Sequence, residues 1–417
     1  MGITFFGIIW FSFLLICIII KDRRWMFVFT SFSMLFQSNN VLIIGESEIG
    51  PQIIAVSFAF INFLFFRDIA NKHNTPKGLK ISFVFLLSVV LISSLINTYS
   101  SITKLMMIVI YFLFTLLLTN KSLFDDIKKL EKLENALIIF VLIVGILQMV
   151  AVAGILPIKP VMRVLFFNDI YNEDVIFNYK TNVAFYSTFM EPSYCAVFLI
   201  GAFFLVISRN NFSFTNIILS FSILLAIILS KSTTAYISLL LCLAIFSFTK
   251  SQNKSNLIII FTLIVSILVM YYLFYSVLDS VLFSKTESGS YKVRSLWNER
   301  ALANFYSNPV LGVGYGNSRA SSLIYTILGE LGLFGIIAYI SMFLYFLKQL
   351  LIKKQLSYVQ GHAFGVIGAI VCQVIACPDL NLSSFWLMVF LYIAAYNIKN
   401  SKIQQYENRN TYISSST

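Results

Sequence analysis

The sequence predicts an all-α, polytopic membrane protein, and three observations lead to that fold class. Of the 417 residues, 59% are hydrophobic and only 12% are charged, whereas soluble domains average about 25% charged residues. Apolar runs close to the roughly 20 residues needed to cross a hydrocarbon layer recur along the whole chain. The runs are continuously apolar rather than alternating, which favours transmembrane helices over a β-barrel.

Apolar segments separated by polar connections predict about 12–13 transmembrane helices. The segments cover residues 3–20, 25–44, 51–66, 81–98, 104–119, 135–155, 192–208, 213–230, 233–249, 256–277, 322–347, 360–377 and 384–398. No positive charge precedes the first segment, whereas Lys21, Arg23 and Arg24 follow it directly. Because positive residues favour the cytoplasmic side, we expect the N-terminus outside and the C-terminus in the cytoplasm.

The chain is predicted to form a single transmembrane domain over residues 1–402, followed by a polar cytoplasmic tail over residues 403–417. Two extracytoplasmic loops, about 156–191 and 278–321, are too long to be simple turns between neighbouring helices. On the cytoplasmic side, the segment Asn120–Glu134 has apolar residues at helical spacing in a polar background. That pattern predicts a surface helix.

Charge and cysteine usage argue against several functional classes. The net charge of +12 comes mostly from loops between apolar segments and not from a basic stripe with interleaved aromatic residues, so we expect no nucleic-acid partner. The five cysteines lie in apolar segments without CxxC spacing, which is typical of small buried side chains rather than of a metal site. Both histidines, His73 and His362, are predicted to be cytoplasmic, so an outer site would contain no histidine base.

The second extracytoplasmic loop concentrates positive charge. Arg294, Arg300 and Arg319 lie close together in sequence, with Trp297 between them, and residues 295–306 have the pattern of an amphipathic interfacial helix. Arginine donates two parallel hydrogen bonds to a phosphate group, so this loop suits a pyrophosphate at the membrane surface. On charge and periodicity alone, arginines that contact lipid headgroups explain the pattern at least as well.

Three alternate glycines, Gly312, Gly314 and Gly316, follow the Asn308-Pro309 pair that ends this predicted helix. Glycine permits turns with positive φ and a close approach of the backbone to a ligand. The run lacks the strand–helix context of a dinucleotide-binding motif, and a simple turning of the chain also explains it.

Two carboxylates and two cations complete the candidate site. Glu191 stands directly before Pro192, which fits the first turn of a helix. A carboxylate there can act as a general base towards a sugar hydroxyl, or it can simply interact with the helix dipole. Glu330 lies in an apolar segment, where a carboxylate is costly and is usually paired. Lys231 occupies an outer turn, and Arg163 lies in the first extracytoplasmic loop.

Three stretches resemble the superfamily of O-antigen polymerases and ligases, and in particular its Wzy-type polymerases. They are the Glu-Pro-Ser helix start in Phe189–Leu199, the Arg…Trp…Asn-Pro-x-x-Gly-x-Gly-x-Gly pattern in Arg294–Gly316, and the Glu-x-Gly-x-x-Gly helix entry in Leu328–Tyr339. The hydropathy layout of nearly the whole chain is also similar. Two departures matter. No histidine shortly precedes the third stretch, which argues against a ligase, and Ser232–Ala235 lacks the arginine typical of relatives.

The resemblance implies a GT-C-like fold and a metal-independent glycosyltransferase in the bacterial inner (cytoplasmic) membrane. Such an enzyme transfers a glycan chain from undecaprenyl pyrophosphate onto the non-reducing end of an incoming lipid-linked repeat unit. The product would be the O-antigen of lipopolysaccharide, a capsule or another exopolysaccharide of the cell envelope. The expected partners are the lipid-linked oligosaccharide donor and acceptor, the lipid bilayer and a chain-length regulator protein. No cofactor is expected.

The resemblance also implies a role for each candidate residue. Glu191 would be the catalytic base that activates the acceptor hydroxyl. The expected pyrophosphate-binding residues are Arg294, Arg300, Arg163 and Lys231. The expected loop-shaping residues are Gly312, Gly314 and Gly316. Glu330 is expected to be structural or orienting, Trp297 and Arg319 are the other expected orienting residues, and no metal ligand is expected.

Two alternatives remain open on the sequence. A ligase would move a finished glycan onto another lipid or a protein, and a flippase or transporter would carry the lipid-linked repeat across the membrane. A flippase would be expected to carry cations along an interior cavity and to show repeated halves. In this sequence the non-cytoplasmic charge gathers in two loops instead, which favours a fixed site.

Overall fold

A computed structural model of the protein describes residues 2–44, 47–65, 76–97, 101–119, 123–166, 183–209, 213–250, 289–352 and 357–398. Within these ranges the chain forms fourteen helices and one small three-stranded sheet. The all-α fold class that the sequence predicts is therefore confirmed.

The helices are numbered in chain order. In the first part of the chain they are α1 (Phe5–Ile20), α2 (Arg23–Ser33), α3 (Pro51–Phe65), α4 (Lys77–Ile96), α5 (Ile102–Leu118), α6 (Ile127–Val152) and α7 (Lys159–Phe166). In the second part they are α8 (Pro192–Ile207), α9 (Phe214–Leu229), α10 (Thr233–Lys250), α11 (Gly289–Ser307), α12 (Leu323–Leu351), α13 (Ser357–Ala376) and α14 (Ser383–Ile398). The strands, which pair antiparallel in this order, are β1 (Gly2–Ile3), β2 (Leu42–Ile44) and β3 (Ser47–Ile49).

Four of the described helices are long and apolar enough to cross a membrane: α4, α6, α12 and the Tyr358–Ala376 part of α13. Seven other described helices are apolar but shorter, and the fold is consistent with an all-α membrane protein. Large apolar side chains are exposed on the outside of the fold, with Leu95 at 81% and Phe65 at 79%. Such an extensive apolar surface is suited to contact with lipid. The predicted segment 256–277 and the predicted tail 403–417 lie outside the described residues.

The second predicted transmembrane segment, 25–44, is wrong in its second half. α2 ends at Ser33, and the chain then crosses to strand β2, which pairs with β1 and β3. The backbone N–H groups of Gln37 and Ser38 both donate to the carbonyl of Thr188. Backbone groups that leave a helix inside the fold need such partners, and hydropathy alone does not reveal them.

The predicted surface helix over Asn120–Glu134 is helical only from Ile127, where a longer helix begins, and its residues 120–122 lie outside the described residues. α6 runs without a break from Ile127 to Val152. Glu134 therefore lies inside a membrane-length helix, where it is only 2% exposed. The charged first turns of α6 hide this continuity from a hydropathy argument.

The contact between α8 and α13 lies at the centre of the fold. Nearly all residues of α8 are buried, as expected for a helix that is apolar on every side. A Cβ on Gly201 of α8 would lie 3.1 Å from the carbonyl oxygen of Gly365 of α13, and a Cβ on Gly365 would lie 3.2 Å from that of Gly201. Small residues at such positions let the backbones of membrane helices approach closely.

The helix directions define two ends of the fold. Asn381, just before α14, donates to the carbonyl of Lys104 near the start of α5 at 3.1 Å. Asn397, at the end of α14, donates to the carbonyl of Leu118 at the end of α5 at 2.7 Å. α5 and α14 are therefore parallel neighbours. We call the end near Asn381 the Asp379 end and the opposite end the Glu134 end. The 16 residues of α8 connect the two ends over roughly 24 Å, at about 1.5 Å per residue.

Candidate functional site

α12 is broken at Gly332, and the loop that precedes the helix packs into the break. Gly332 has φ 62° and ψ −155°, outside the helical region. The N–H of Leu333 donates to the carbonyl of Pro309 at 2.9 Å, and that of Phe334 donates to the carbonyl of Val310 at 3.3 Å. In return, two N–H groups of the loop donate to carbonyls of α12. A broken helix is tolerated in a membrane protein when its freed backbone groups find partners in this way.

The three alternate glycines allow the loop to approach the helices around it. Gly312, Gly314 and Gly316 have positive φ of 67°, 98° and 87°. A Cβ at Gly314 would lie 2.8 Å from that of Asn97, and a Cβ at Gly316 would lie 2.9 Å from that of Ser101. A Cβ at Gly312 would clash with the backbone of α12. The close backbone approach that the glycines allow is therefore to the protein itself.

Glu330 attaches the loop to α12. Its side chain is buried, and the backbone N–H of Gly314 donates to its carbonyl at 3.0 Å. Its carbonyl accepts a hydrogen bond of 2.9 Å from the hydroxyl of Ser93 on α4. The backbone carbonyl of Glu330 thus links α4, α12 and the loop.

α11 carries the two central arginines of the predicted site and packs against α12. Arg294 and Arg300 are both exposed. The guanidinium of Arg319 lies 4.0 Å from the ring centroid of Trp297, a cation–π contact that orients this arginine. Asn298 accepts two hydrogen bonds of 2.9 Å from the segment just before α12. α11 is thus held firmly while its two arginines face outwards.

The other two predicted pyrophosphate ligands lie on separate elements. Arg163 belongs to α7, which packs against α6 and α1. Lys231 lies in the turn between α9 and α10 with φ 49°, a left-handed conformation that is uncommon for a residue with a Cβ. The N–H of Phe185 donates to the carbonyl of Leu229 beside this turn at 3.0 Å. The four predicted ligands thus occupy three parts of the described fold.

Glu191 lies at the N-cap position of α8 and is exposed. Its side chain makes no capping hydrogen bond to the helix. Its carboxylate accepts a hydrogen bond of 3.2 Å from the hydroxyl of Ser193. Tyr194, three residues further along, lies on the same side of α8 because residues three apart are neighbours on a helix surface.

A polar cluster that the sequence did not single out lies at this start of α8. The hydroxyl of Tyr194 donates to Oδ2 of Asp379 at 2.7 Å, and Nζ of Lys104 lies 3.8 Å from Oδ1 of the same carboxylate. The side chain of Asn381 accepts from the hydroxyl of Tyr315 at 2.5 Å and donates to the carbonyl of Lys104 at 3.1 Å. We call these five residues the Asp379 cluster.

The Asp379 cluster combines a buried tyrosine with a half-exposed ion pair. The side chains of Lys104 and Asp379 are 47% and 39% exposed, whereas Tyr315 is buried. Burial, together with the nearby carboxylates of Glu330 and Asp379, raises the pKa of Tyr315 well above its ordinary value. Burial thus favours the neutral hydroxyl, which is the form that donates to the Asn381 side chain. The tyrosine fixes the loop, and the ion pair remains accessible to a ligand.

Sequence reasoning missed this cluster because its members are isolated in the chain. Asp379 is the one charged residue in the connection between α13 and α14, and Lys104 is a single lysine at the start of an apolar helix. Neither differs from an ordinary loop or helix-end residue. The available signal was the predicted topology, which places both connections on the same side of the membrane as Glu191.

A second polar group, formed by Glu134, Arg209 and His362, lies at the opposite end. Arg209 donates to Oε2 of Glu134 at 2.7 Å, and Nε2 of His362 lies 2.5 Å from Oε1. The three side chains are 1%, 6% and 5% exposed. Arg209 also donates to the side-chain oxygens of Asn135 and Asn216. The group is internal and joins α6, α8, α9 and α13.

Within the described ranges, no group of three or more His, Cys, Asp or Glu side chains is placed to hold a metal ion. No protein-family model matches the chain, and no curated protein matches it. The features of the described fold that bear on function are therefore α11, its loop and the Asp379 cluster.

Proposed function

We propose that the protein is a polymerase of lipid-linked oligosaccharide repeat units, a GT-C-like membrane glycosyltransferase with undecaprenyl pyrophosphate as its leaving group. The main support is that exposed arginines and reachable carboxylates share one end of the fold. Arg294 and Arg300 lie on α11, and the loop after α11 reaches the Asp379 cluster through Tyr315. Glu191 lies at the start of α8 beside the same cluster.

The proposed reaction requires a base and a group of fixed cations. The acceptor hydroxyl gives its proton to a carboxylate, and its oxygen attacks the anomeric carbon of the donor glycan. The bond from that carbon to the pyrophosphate oxygen breaks, and the electron pair leaves with the pyrophosphate. Arg294 and Arg300 would stabilise the charge that develops there, and Arg163 and Lys231 would contact the same or the second lipid-linked substrate. Because the donor is already activated, the reaction needs no nucleotide.

The proposal includes a topology. The chain would cross the bacterial inner membrane several times, with the N-terminus outside and the C-terminus in the cytoplasm. The Asp379 end would then be extracytoplasmic, and the Glu134 end would be cytoplasmic. Arg24 and Lys129 both pair with Asp125, just before α6 at the Glu134 end, in agreement with the preference of positive residues for the cytoplasm.

The surface polysaccharide of a deletion strain tests the proposed function. Loss of this protein should leave glycans with a single repeat unit, because repeat units are still made and exported but are no longer joined. A gel of the extracted polysaccharide measures the chain-length ladder. Free polymer that stays on its carrier lipid would indicate a ligase instead, and accumulation of inward-facing repeat units would indicate a flippase. Either result would overturn the proposal.

Removal of the α11 arginines tests the leaving-group site. We expect Arg294→Ala and Arg300→Ala each to lower polymerisation by about 10²–10³-fold, the usual effect of losing one group that stabilises transition-state charge. The ladder should shrink to single repeats at normal protein levels. Arg24→Ala, a matched exposed arginine at the Glu134 end, should keep the ladder. Long chains in both α11 variants would exclude this helix from the mechanism.

A further inference from the structure

We infer that Asp379 is the general base that takes the proton of the acceptor hydroxyl, an inference that rests on the proposed polymerase function. The carboxylate belongs to the short connection between α13 and α14, where its backbone carbonyl accepts a hydrogen bond of 2.9 Å from Gln373. It is positioned by Tyr194 from α8 and by Lys104 from α5. Three helices thus fix one half-exposed carboxylate at the end of the fold that carries the arginines.

Glu330, Glu191 and Asp379 are three described carboxylates at this end of the fold, and they differ in what they can offer a substrate. Glu330 is only 3% exposed, so it cannot reach an acceptor sugar. Glu191 is exposed at a helix end, and the described contact of its carboxylate is a 3.2 Å hydrogen bond from Ser193 on the same helix. Of these three, Asp379 is the one that is both reachable and held by other helices. A general base must be held within hydrogen-bond reach of the proton that it takes.

The two oxygens of Asp379 have separate roles. Oδ2 accepts the hydrogen bond from Tyr194 at 2.7 Å. Oδ1 lies 3.8 Å from Nζ of Lys104, which is an ion-pair distance but too long for a hydrogen bond. Oδ1 is therefore the oxygen with room to accept a proton from a sugar hydroxyl. Tyr194 and Lys104 act as positioning residues.

The proposed step balances in atoms and charge. The proton of the acceptor hydroxyl moves to Oδ1 of Asp379, and the acceptor oxygen forms a bond to the anomeric carbon of the donor. The bond from that carbon to pyrophosphate breaks, and its electron pair leaves with undecaprenyl pyrophosphate. Asp379 then releases its proton to water and is ready for the next repeat unit.

Asp379→Asn is the central test, measured in membranes of the deletion strain that contain their own lipid-linked repeat units. We expect the initial rate of chain growth to fall by about 10²–10⁴-fold, the usual contribution of a general base. Binding of undecaprenyl pyrophosphate to the purified full chain should stay at the wild-type level, because the α11 arginines are unchanged. Asp125→Asn, the same substitution at an exposed position on the opposite end, should grow chains at the wild-type rate.

Tyr194→Phe provides a second test of the role of Asp379 if the Asp379→Asn protein does not accumulate in the membrane. It removes one hydrogen bond from Asp379 and nothing from the substrate. We expect a maximal rate roughly tenfold lower, which corresponds to a hydrogen bond to a charged group, with the same repeat-unit concentration at half-maximal rate. A purely structural role would instead lower the amount of folded protein and leave the maximal rate per folded molecule at the wild-type value.

Different results would contradict the role of Asp379 and the proposed polymerase function. A wild-type rate in Asp379→Asn, or loss of pyrophosphate binding together with the rate, would overturn the role of Asp379 while the polymerase function stands. The same holds if Glu191→Gln, and not Asp379→Asn, abolishes chain growth. If the wild-type chain itself fails to restore the ladder in the deletion strain, the proposed function is wrong.

Discussion

At the scale of single residues, the two polar groups differ in how completely their side chains are satisfied. Both carboxylate oxygens of Glu134 take part in short contacts of 2.7 and 2.5 Å with buried cationic or ring nitrogen atoms. The carboxylate of Asp379 accepts one short hydrogen bond, from the hydroxyl of Tyr194, has the Lys104 amine at 3.8 Å, and is 39% exposed. A fully satisfied and buried carboxylate has nothing left to offer a ligand. The Glu134 group therefore supports the fold, whereas the Asp379 cluster is suited to binding.

Substitution of Glu134 tests the structural role. Glu134→Ala leaves Arg209 and His362 buried without their shared partner, and breaking a buried pair in this way usually costs about 3–5 kcal/mol. We expect a clear fall in the midpoint of thermal unfolding of the full chain in detergent. Asp125→Ala, whose carboxylate is 81% exposed, should unfold at the wild-type temperature. An unchanged midpoint for Glu134→Ala would show that this group is not needed for stability.

A functional residue can be identified from the sequence only when its partners lie nearby along the chain. Glu191 was recognised as a helix start because the signal, the following proline, is its neighbour. The partners of Glu134 are 75 and 228 residues away, and the tyrosine that binds the Asp379 carboxylate is 185 residues away. Pairs at such separations leave no local pattern, so neither composition nor periodicity can find them. The sequence therefore predicted the arginine-bearing helix but not the carboxylate beside its loop.

At the scale of elements, apolar run length predicted most helices well, and backbone chemistry decided the exceptions. The predicted segment 322–347 corresponds to α12, yet the break at Gly332 was not foreseen. A glycine inside an apolar run is normally tolerated in a helix. Here the loop 308–318 supplies the hydrogen bonds that allow the break, and this docking is a property of the tertiary structure.

Gly332→Ala tests whether the break in α12 holds the loop. A Cβ at Gly332 would lie 2.6 Å from the carbonyl carbon of Val310, and its φ of 62° already disfavours alanine. Strain of this kind typically costs about 1–3 kcal/mol, and the clash with the loop adds to it. Gly154 is the matched control, with φ of 71° and no atom within 4 Å of its Cβ position.

We expect Gly332→Ala to lower the thermal midpoint more than Gly154→Ala does, and to shorten the polysaccharide ladder as well. The ladder should shorten because the loop that Gly332 supports carries Tyr315 and positions the Asp379 cluster. Equal effects of the two substitutions on stability would mean that the loop does not depend on the break. A full ladder together with a lowered thermal midpoint would show that the position of the loop is not needed for polymerisation.

At the scale of the whole molecule, the fold separates two polar ends by apolar helices. The connections at one end carry the Asp379 cluster, and those at the other carry Arg209 and the start of α6. The exposed apolar surface between them is a lipid-contacting surface in the proposed orientation. Charge counts along the sequence predicted this orientation, because positive residues favour the cytoplasmic side. The orientation decides whether the arginines of α11 can meet a lipid-linked glycan outside the cell.

Cysteine labelling in intact cells tests that orientation. All five native cysteines are buried and should react slowly with a membrane-impermeant maleimide, because thiol reactivity requires exposure. Ser307→Cys, at the exposed end of α11, should be labelled from outside. Lys129→Cys, with a native side chain that is 53% exposed at the Glu134 end, should be labelled only after the membrane is opened. The reverse pattern would place α11 and the Asp379 cluster in the cytoplasm, where exported repeat units are absent, and the polymerase proposal would fail with it.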